Sequence, residues 1–190
     1  SRSPPSAPWA ASSARSASTV EHGQKPSHDE HQRTLLIPSK RSGTCSARTA
    51  STTASDGSIG AVSTTATRRG KIYDIMMGSE ATPADAAILW TVQRYTAAGT
   101  STAVTPQALD PADAAFLGQA GENHSGEPTY TAAAILLNVA LNQRATFRWV
   151  AAPGGELVYP NTTANGVGIQ TDTISTGTPV ITATVHADEE

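Results

Sequence analysis

The sequence predicts an all-β fold: an antiparallel β-sandwich or jelly roll of about seven or eight strands behind an extended N-terminal arm. Three observations lead there. Apolar residues in the C-terminal two thirds recur at a period of two, most densely from Tyr130 to Tyr159. Turn-forming Gly, Pro and Asn punctuate the chain at intervals of about 8 to 15 residues. The amphipathic crossover helices that an α/β sheet requires have no counterpart in the pattern.

Charge divides the 190 residues in two. Residues 1–70 hold nine Lys or Arg against four Asp or Glu, a net of +5; residues 71–190 hold four against twelve, a net of −8. Large apolar side chains in the first part are nearly confined to Trp9, Val20, Leu35, Leu36, Ile37, Ile59 and Val62. So few cannot offset the ordering entropy of a second packed domain. The sequence therefore predicts a Ser/Ala/Arg-rich arm over 1–67, extended or poorly ordered, and one β-sandwich domain over 68–190. Such a composition also arises when a reading frame is opened too far upstream, and both readings of the arm stand. A single cysteine, Cys45, leaves no intrachain disulfide, so packing or a partner must hold the fold. No apolar run approaches a membrane span.

Within the arm, the short apolar run Thr34 to Ile37, stopped by Pro38, is suited to adding a strand to a neighbour's sheet edge, which makes Leu35, Leu36 and Ile37 candidate interface residues. Lys71 to Met77 is the first strand of the domain, ended by Gly78 and Ser79, with a turn at Thr82 to Asp85. Ile88 to Tyr95 alternates Ile88, Trp90 and Val92 inward and forms the second. Thr102 to Thr105 makes a short third. Leu109 to Ala115 has the start of a helical turn, with Asp110 as N-cap and Pro111 at the first helical position. Gly121 to Pro128 reads as a polar loop. From Tyr130 to Tyr159 the alternation predicts consecutive strands of one hairpin system, with Ile135, Leu137, Val139 and Leu141 on one face. After a break at Asn142 to Arg144, Ala145, Phe147 and Trp149 resume it, and Pro153-Gly154-Gly155 turns the chain into Leu157 to Tyr159. Asn165-Gly166 is a tight-turn signal, Ile169 to Ile174 a further strand, and Val180 to His186 the last, with Asp188 to Glu190 as an acidic tail outside it.

No constellation of residues forms a reaction centre. His28 and His31, with His22 nearby, are metal-capable but lack a scaffold and a fourth ligand, so no metal site is predicted. Ser125, His124 and Glu127 share one loop, where chain neighbours rarely face one another, and no nucleophile-elbow surrounds them. Gly154-Gly155 and Gly166-Val167-Gly168 precede no helix and so offer no phosphate cradle. Asp110 and Asp113, two carboxylates three apart, read as capping plus solvation rather than as an acid/base pair or a cation site. The basic residues of the arm are too sparse, and too free of interleaved aromatics, to indicate nucleic-acid binding. The reading is thus of a protein without catalytic residues, cofactor, metal or membrane partner. Arg144 and Arg148 flank the central strands and can serve an interface. Tyr95, Tyr130 and Tyr159 are candidate glycan-facing aromatics, beside loop carboxylates such as Glu122 and Asp172, while Trp90 and Trp149 read as core. Asn123 and Asn161 begin glycosylation sequons.

The segments IYDIMMGSEATPADAAILWTVQRYTAAGTSTAVTPQALDPADAA, ENHSGEPTYTAAAILLNVALNQRATFRWVAAPGGELVYP and GTPVITATVH resemble small phage-associated virion structural proteins of the head-decoration or minor-capsid kind. The resemblance covers about residues 70–188 and excludes the arm. It implies a β-sandwich or jelly roll that stabilises a shell in the virion, with no cofactor. The implied partners are its own copies, in a trimer or larger symmetric assembly, and a major capsid protein. Two other readings remain from the residues: a glycan- or receptor-binding module on a fibre, and an extracellular filament subunit joined by β-augmentation.

Overall fold

The structure is a computed structural model that describes residues 41–50, 57–63, 68–171, 174, 176–177 and 179–190, with backbone alone at 46–50 and 57–63. Twelve strands and no helix occur among the described residues: β1 (Arg41–Ala50), β2 (Gly57–Ser63), β3 (Gly70–Glu80), β4 (Ala87–Ala97), β5 (Thr100–Val104), β6 (Gln107–Ala108), β7 (Gln119–Gly126), β8 (Thr129–Asn142), β9 (Phe147–Val150), β10 (Leu157–Tyr159), β11 (Gly166–Thr171) and β12 (Val180–Glu189). They form two six-stranded antiparallel sheets. Sheet I runs β10-β3-β12-β1-β6, with β9 also on β3; sheet II runs β5-β7-β2-β11-β4-β8.

The pairing is nested. β1 pairs with β12, β2 with β11, β3 with β9 and β10, and β4 with β8, so early strands meet late ones. β9 and β10 lie end to end along the free side of β3, on Asp74–Met77 and Gly70–Ile72. The Pro153-Gly154-Gly155 turn interrupts what is otherwise one strand: Gly154 takes φ 78°, and the Gly155 N–H donates to the Ala152 carbonyl at 2.8 Å.

Period-two burial builds the interior. Strand β12 alternates at every step, burying Ile181, Ala183, Val185 and Ala187, and these join Ile72, Ile75 and Met77 of β3. From sheet II come Ile88, Trp90 and Val92 of β4 with Val167 and Ile169 of β11. Each fully buried large apolar side chain contributes about 1.5–3 kcal/mol. Leu137, Val139 and Leu141 sit opposite Val92, Trp90 and Ile88 as the alternation predicts. Ile135 does not: a register shift in β8 turns it out, 47% exposed.

Several expectations need correction. Paired strands begin at Arg41, upstream of the boundary at residue 68; β1 is bonded to β12 along all of Arg41–Ala50. Its sequence, RSGTCSARTA, is small and polar, so backbone bonding places it and apolar pattern does not. Gly121 to Gly126 belongs to strand β7, laid between β5 and β2, and not to a loop. Residues 109–115 make the capped turn expected of them and go no further toward a helix: the Asp110 carbonyl accepts from the Asp113 N–H and its Oδ1 from the Ala112 N–H. β8 and β9 are not a hairpin, since the turn between them carries the chain from sheet II to sheet I. That crossing is pinned by Gln143, fully buried, whose Oε1 accepts from the Ala84 N–H at 2.8 Å and whose Nε2 donates to the Thr176 carbonyl at 2.7 Å. The acidic end is no tail: Asp188 and Glu189 complete β12, and Glu189 is buried.

Candidate functional site

The described chain gathers its ionisable side chains most closely on the outer face of sheet I. The cause is one extra residue in β3. Ala187 pairs with Ile72 and His186 with Asp74, which leaves Tyr73 unmatched. The shift stands Asp74 beside His186 on the face away from the core, while the next pair, Ile75 with Val185, returns to the interior. From β9, Arg148 arrives between the inward-leaning Phe147 and Trp149.

The three side chains form a closed cluster. Arg148 Nε donates to Asp74 Oδ1 at 2.9 Å and Arg148 Nη2 to Asp74 Oδ2 at 2.7 Å, a two-pronged pair. His186 Nδ1 lies 3.0 Å from the same Oδ2, and the Tyr73 ring stacks on the imidazole at 6.1 Å and 26°. Asp74 is 2% exposed, covered by its partners, whereas the Arg148 side chain is 60% exposed. Hydrogen bonding from Arg148 holds the Asp74 carboxyl below the usual range against the opposing effect of burial, and His186 adds to it; Asp74 in turn raises the Arg148 guanidinium. An ionised carboxylate can only accept, so His186 Nδ1 is the donor in that contact.

A carboxylate holding an imidazole is two thirds of a hydrolytic triad. The last third is missing: among the described residues His186 bonds only to Asp74, so no hydroxyl stands on Nε2. Cys45 cannot serve. It lies in the core, and burial pushes its thiol up to about 11. What the cluster does is fasten β9 and β12 to β3 and hold one guanidinium at the surface.

Elsewhere on this sheet, Ser42 Oγ donates to Asp188 Oδ1 at 2.5 Å, and Arg69 and Lys71 both reach Glu190, at 2.5 and 2.8 Å. Sheet II carries an uncharged counterpart. Gln170 Nε2 donates to Gln93 Oε1 at 2.8 Å, Gln93 Nε2 to the Thr131 carbonyl at 2.7 Å, and Thr91 Oγ1 to Asn138 Oδ1 at 2.8 Å. Thr91, Gln93, Asn138 and Gln170, with Leu89, Ile135 and Thr171, line a shallow groove of about 270 Å³.

The candidate aromatics are not a platform. Tyr95 and Tyr159 are 1% and 0% exposed, and Tyr130 is half-buried with its ring edge-on to Tyr95 at 6.4 Å. The Tyr159 ring lies over Gly70, whose missing side chain makes the room, and that packing takes it out of solvent. Tyr130 occupies the space over Gly168 in the same way. Arg144 is exposed, while Arg148 already has a carboxylate within its own chain. Asn123 and Asn161 are exposed; Asn123 lies in β7 at φ 48°, and Asn161 follows Pro160 in a loop. Ser125 Oγ donates to the Thr100 carbonyl at 3.5 Å, across β7 and β5. Leu35, Leu36, Ile37, the arm histidines and Asp172 lie outside the described residues. Among the described residues no three His, Cys, Asp or Glu side chains converge as metal ligands.

No family model, curated protein or solved structure matches this chain. Function has to be argued from these residues. Sequence reasoning passed over Asp74, His186, Gln93 and Gln143. A signal was present for the first: Asp74 is the one charge inside the apolar strand IYDIMM, and Arg148 the one charge between two aromatics of another. Opposite charges set singly in apolar strands imply that the strands are neighbours.

Proposed function

We propose that this chain is a non-enzymatic structural subunit of a virion, of the decoration or minor-capsid kind, folded as a jelly roll that stabilises a shell through its β surfaces. The observation that carries the reading is the nested pairing of β1 with β12, β2 with β11, β3 with β9 and β10, and β4 with β8. One long hairpin folded over into two sheets follows that path, with β5, β6 and β7 as an addition between its fourth and fifth members. Jelly rolls of this plan recur in viral capsid domains and in lectins. A fold hosts many functions, so the surfaces must decide between these two. Exposed faces dressed with Thr and Ala, and with Ile135, Val150 and Leu109 in the open, suit close subunit packing with little side-chain entropy to lose. Its partners are then its own copies and a major capsid protein.

Glycan or receptor binding is the second reading, and the groove of Thr91, Gln93, Asn138 and Gln170 favours it, because neutral amides and hydroxyls suit sugar hydroxyls. Co-sedimentation of the purified chain with phage shells, set beside a glycan array, separates the two. Saturable binding to shells is the expected result. A chain that stays monomeric at micromolar concentration and ignores every shell overturns the proposal, and reproducible glycan hits lost in Gln93→Ala install the second reading in its place.

A further inference from the structure

The strands that end the two sheets are unequal. Sheet I ends in β6, two residues long, and in β9 and β10, four and three residues long, split by a turn and guarded by Arg148. Sheet II ends on one side in β5, five residues long. On its other side it ends in β8, fourteen residues, TYTAAAILLNVALN, without one charge, proline or glycine. Proteins ordinarily blunt such an edge with Lys, Pro, brevity or a bulge, because its outward N–H and C=O groups are a template for another strand.

Only half of β8 is blunted. Register shifts interrupt its pairing with β4 at Val92/Gln93, Gln93/Tyr95 and Tyr95/Ala97, which disturbs the part from Thr129 to Ile135. From Leu137 to Asn142 it pairs residue for residue with Val92 to Ala87, straight and uninterrupted. Among the described residues nothing pairs with its far side.

We infer that Leu137–Asn142 is a self-pairing edge, joining two copies of this chain antiparallel about a two-fold axis into one continuous twelve-stranded sheet. The occupant follows from charge. An isologous contact sets each residue against the same strand reversed, so any charge near the axis would meet its own kind; this segment has none to meet. Side-chain period restricts the register. Opposed residue numbers must sum to an even value, so that Leu137, Val139 and Leu141 continue the inner face of both copies and Asn138 and Ala140 the outer. A six-residue seam is small against a standard interface, so the dimer forms and dissolves over the micromolar range. This inference rests on the structural reading above and gives it a first contact.

Sedimentation velocity of the whole chain from about 1 to 200 µM tests it. The wild type is expected to shift from monomer to dimer across that range. Ala140 is exposed and faces outward beside Leu89, so Ala140→Lys and Ala140→Glu leave the interior alone. Each variant by itself should stay monomeric, its association weakened at least tenfold, and an equimolar mixture of the two should recover the dimer. Recovery also shows that neither variant failed merely by misfolding. A wild type monomeric throughout, or variants that associate as before, overturns the inference. Shell binding that persists in either case leaves the structural reading standing, which keeps the two failures apart.

Discussion

The ladder of β3 with β12 holds two buried acids, and they are treated oppositely. At Asp74 both carboxylate oxygens are taken, by Arg148 and His186. Three pairs along the same strands, Glu189 is buried with Oε2 accepting from the Leu117 N–H at 3.0 Å and Oε1 without a partner among the described residues. The Tyr159 hydroxyl nearby is also buried and unpartnered among them. Burial pushes that phenol far above the usual tyrosine range, and the Glu189 carboxylate adds to the effect. One region spends its polar groups on fastening strands. The other is held by shape, with an aromatic ring seated on a glycine.

The sharpest way to break the comparison is to remove the shape. A methyl group at Gly70 would overlap the fully buried Tyr159 ring, so Gly70→Ala should cost about 1–3 kcal/mol in urea unfolding, the largest of these effects. Asp74→Asn comes next. It keeps the volume but loses the charge that two donors were arranged to meet, so it destabilises at neutral pH. Because the folded-state carboxyl lies below its ordinary value near 4, its contribution is complete above that value and is lost as pH falls through the lowered one. The gap between wild type and variant should therefore close below about pH 4 in melting curves taken across pH. At Tyr159 the sign is reversed. A phenol raised by burial favours the fold while it is protonated, so stability is complete below about pH 10 and drains away above it, as the unfolded chain ionises first. Tyr159→Phe should flatten that alkaline limb. At neutral pH it should change stability least of all, by no more than about 0.5 kcal/mol in either direction, since it removes a hydroxyl that bonds to nothing described.

The same contrast explains what the sequence disclosed. Strand β4 was legible because Ile88, Trp90 and Val92 are large, alternate and face one core. β1 was not legible, for its ten residues are placed by backbone pairing with β12, to which composition is blind. β7 hid for the same reason, as GENHSG is polar on both faces. Consecutive apolar strands at β8 and β9 suggested a hairpin because period gives a strand its faces but not its neighbour, and the four-residue turn leads across the molecule. Tyrosine burial was unreadable for a related cause. The rings of Tyr130 and Tyr159 are covered through glycines far off in sequence, Gly168 and Gly70. Asp74 depends on a single extra residue in β3, and no periodicity reports which residue of a strand will be the odd one.

The place of β12 governs how the molecule can be made. It lies between β3 and β1, so until residues 180–189 have left the ribosome sheet I exists only as two unconnected parts. Nearly every ladder awaits a strand from the far half of the chain, a topology whose closure is slow and entropically costly. The interior cannot shut until β12 has emerged, and through that interval Ile75 of β3 goes without its partner Val185 and has only water or a chaperone for company.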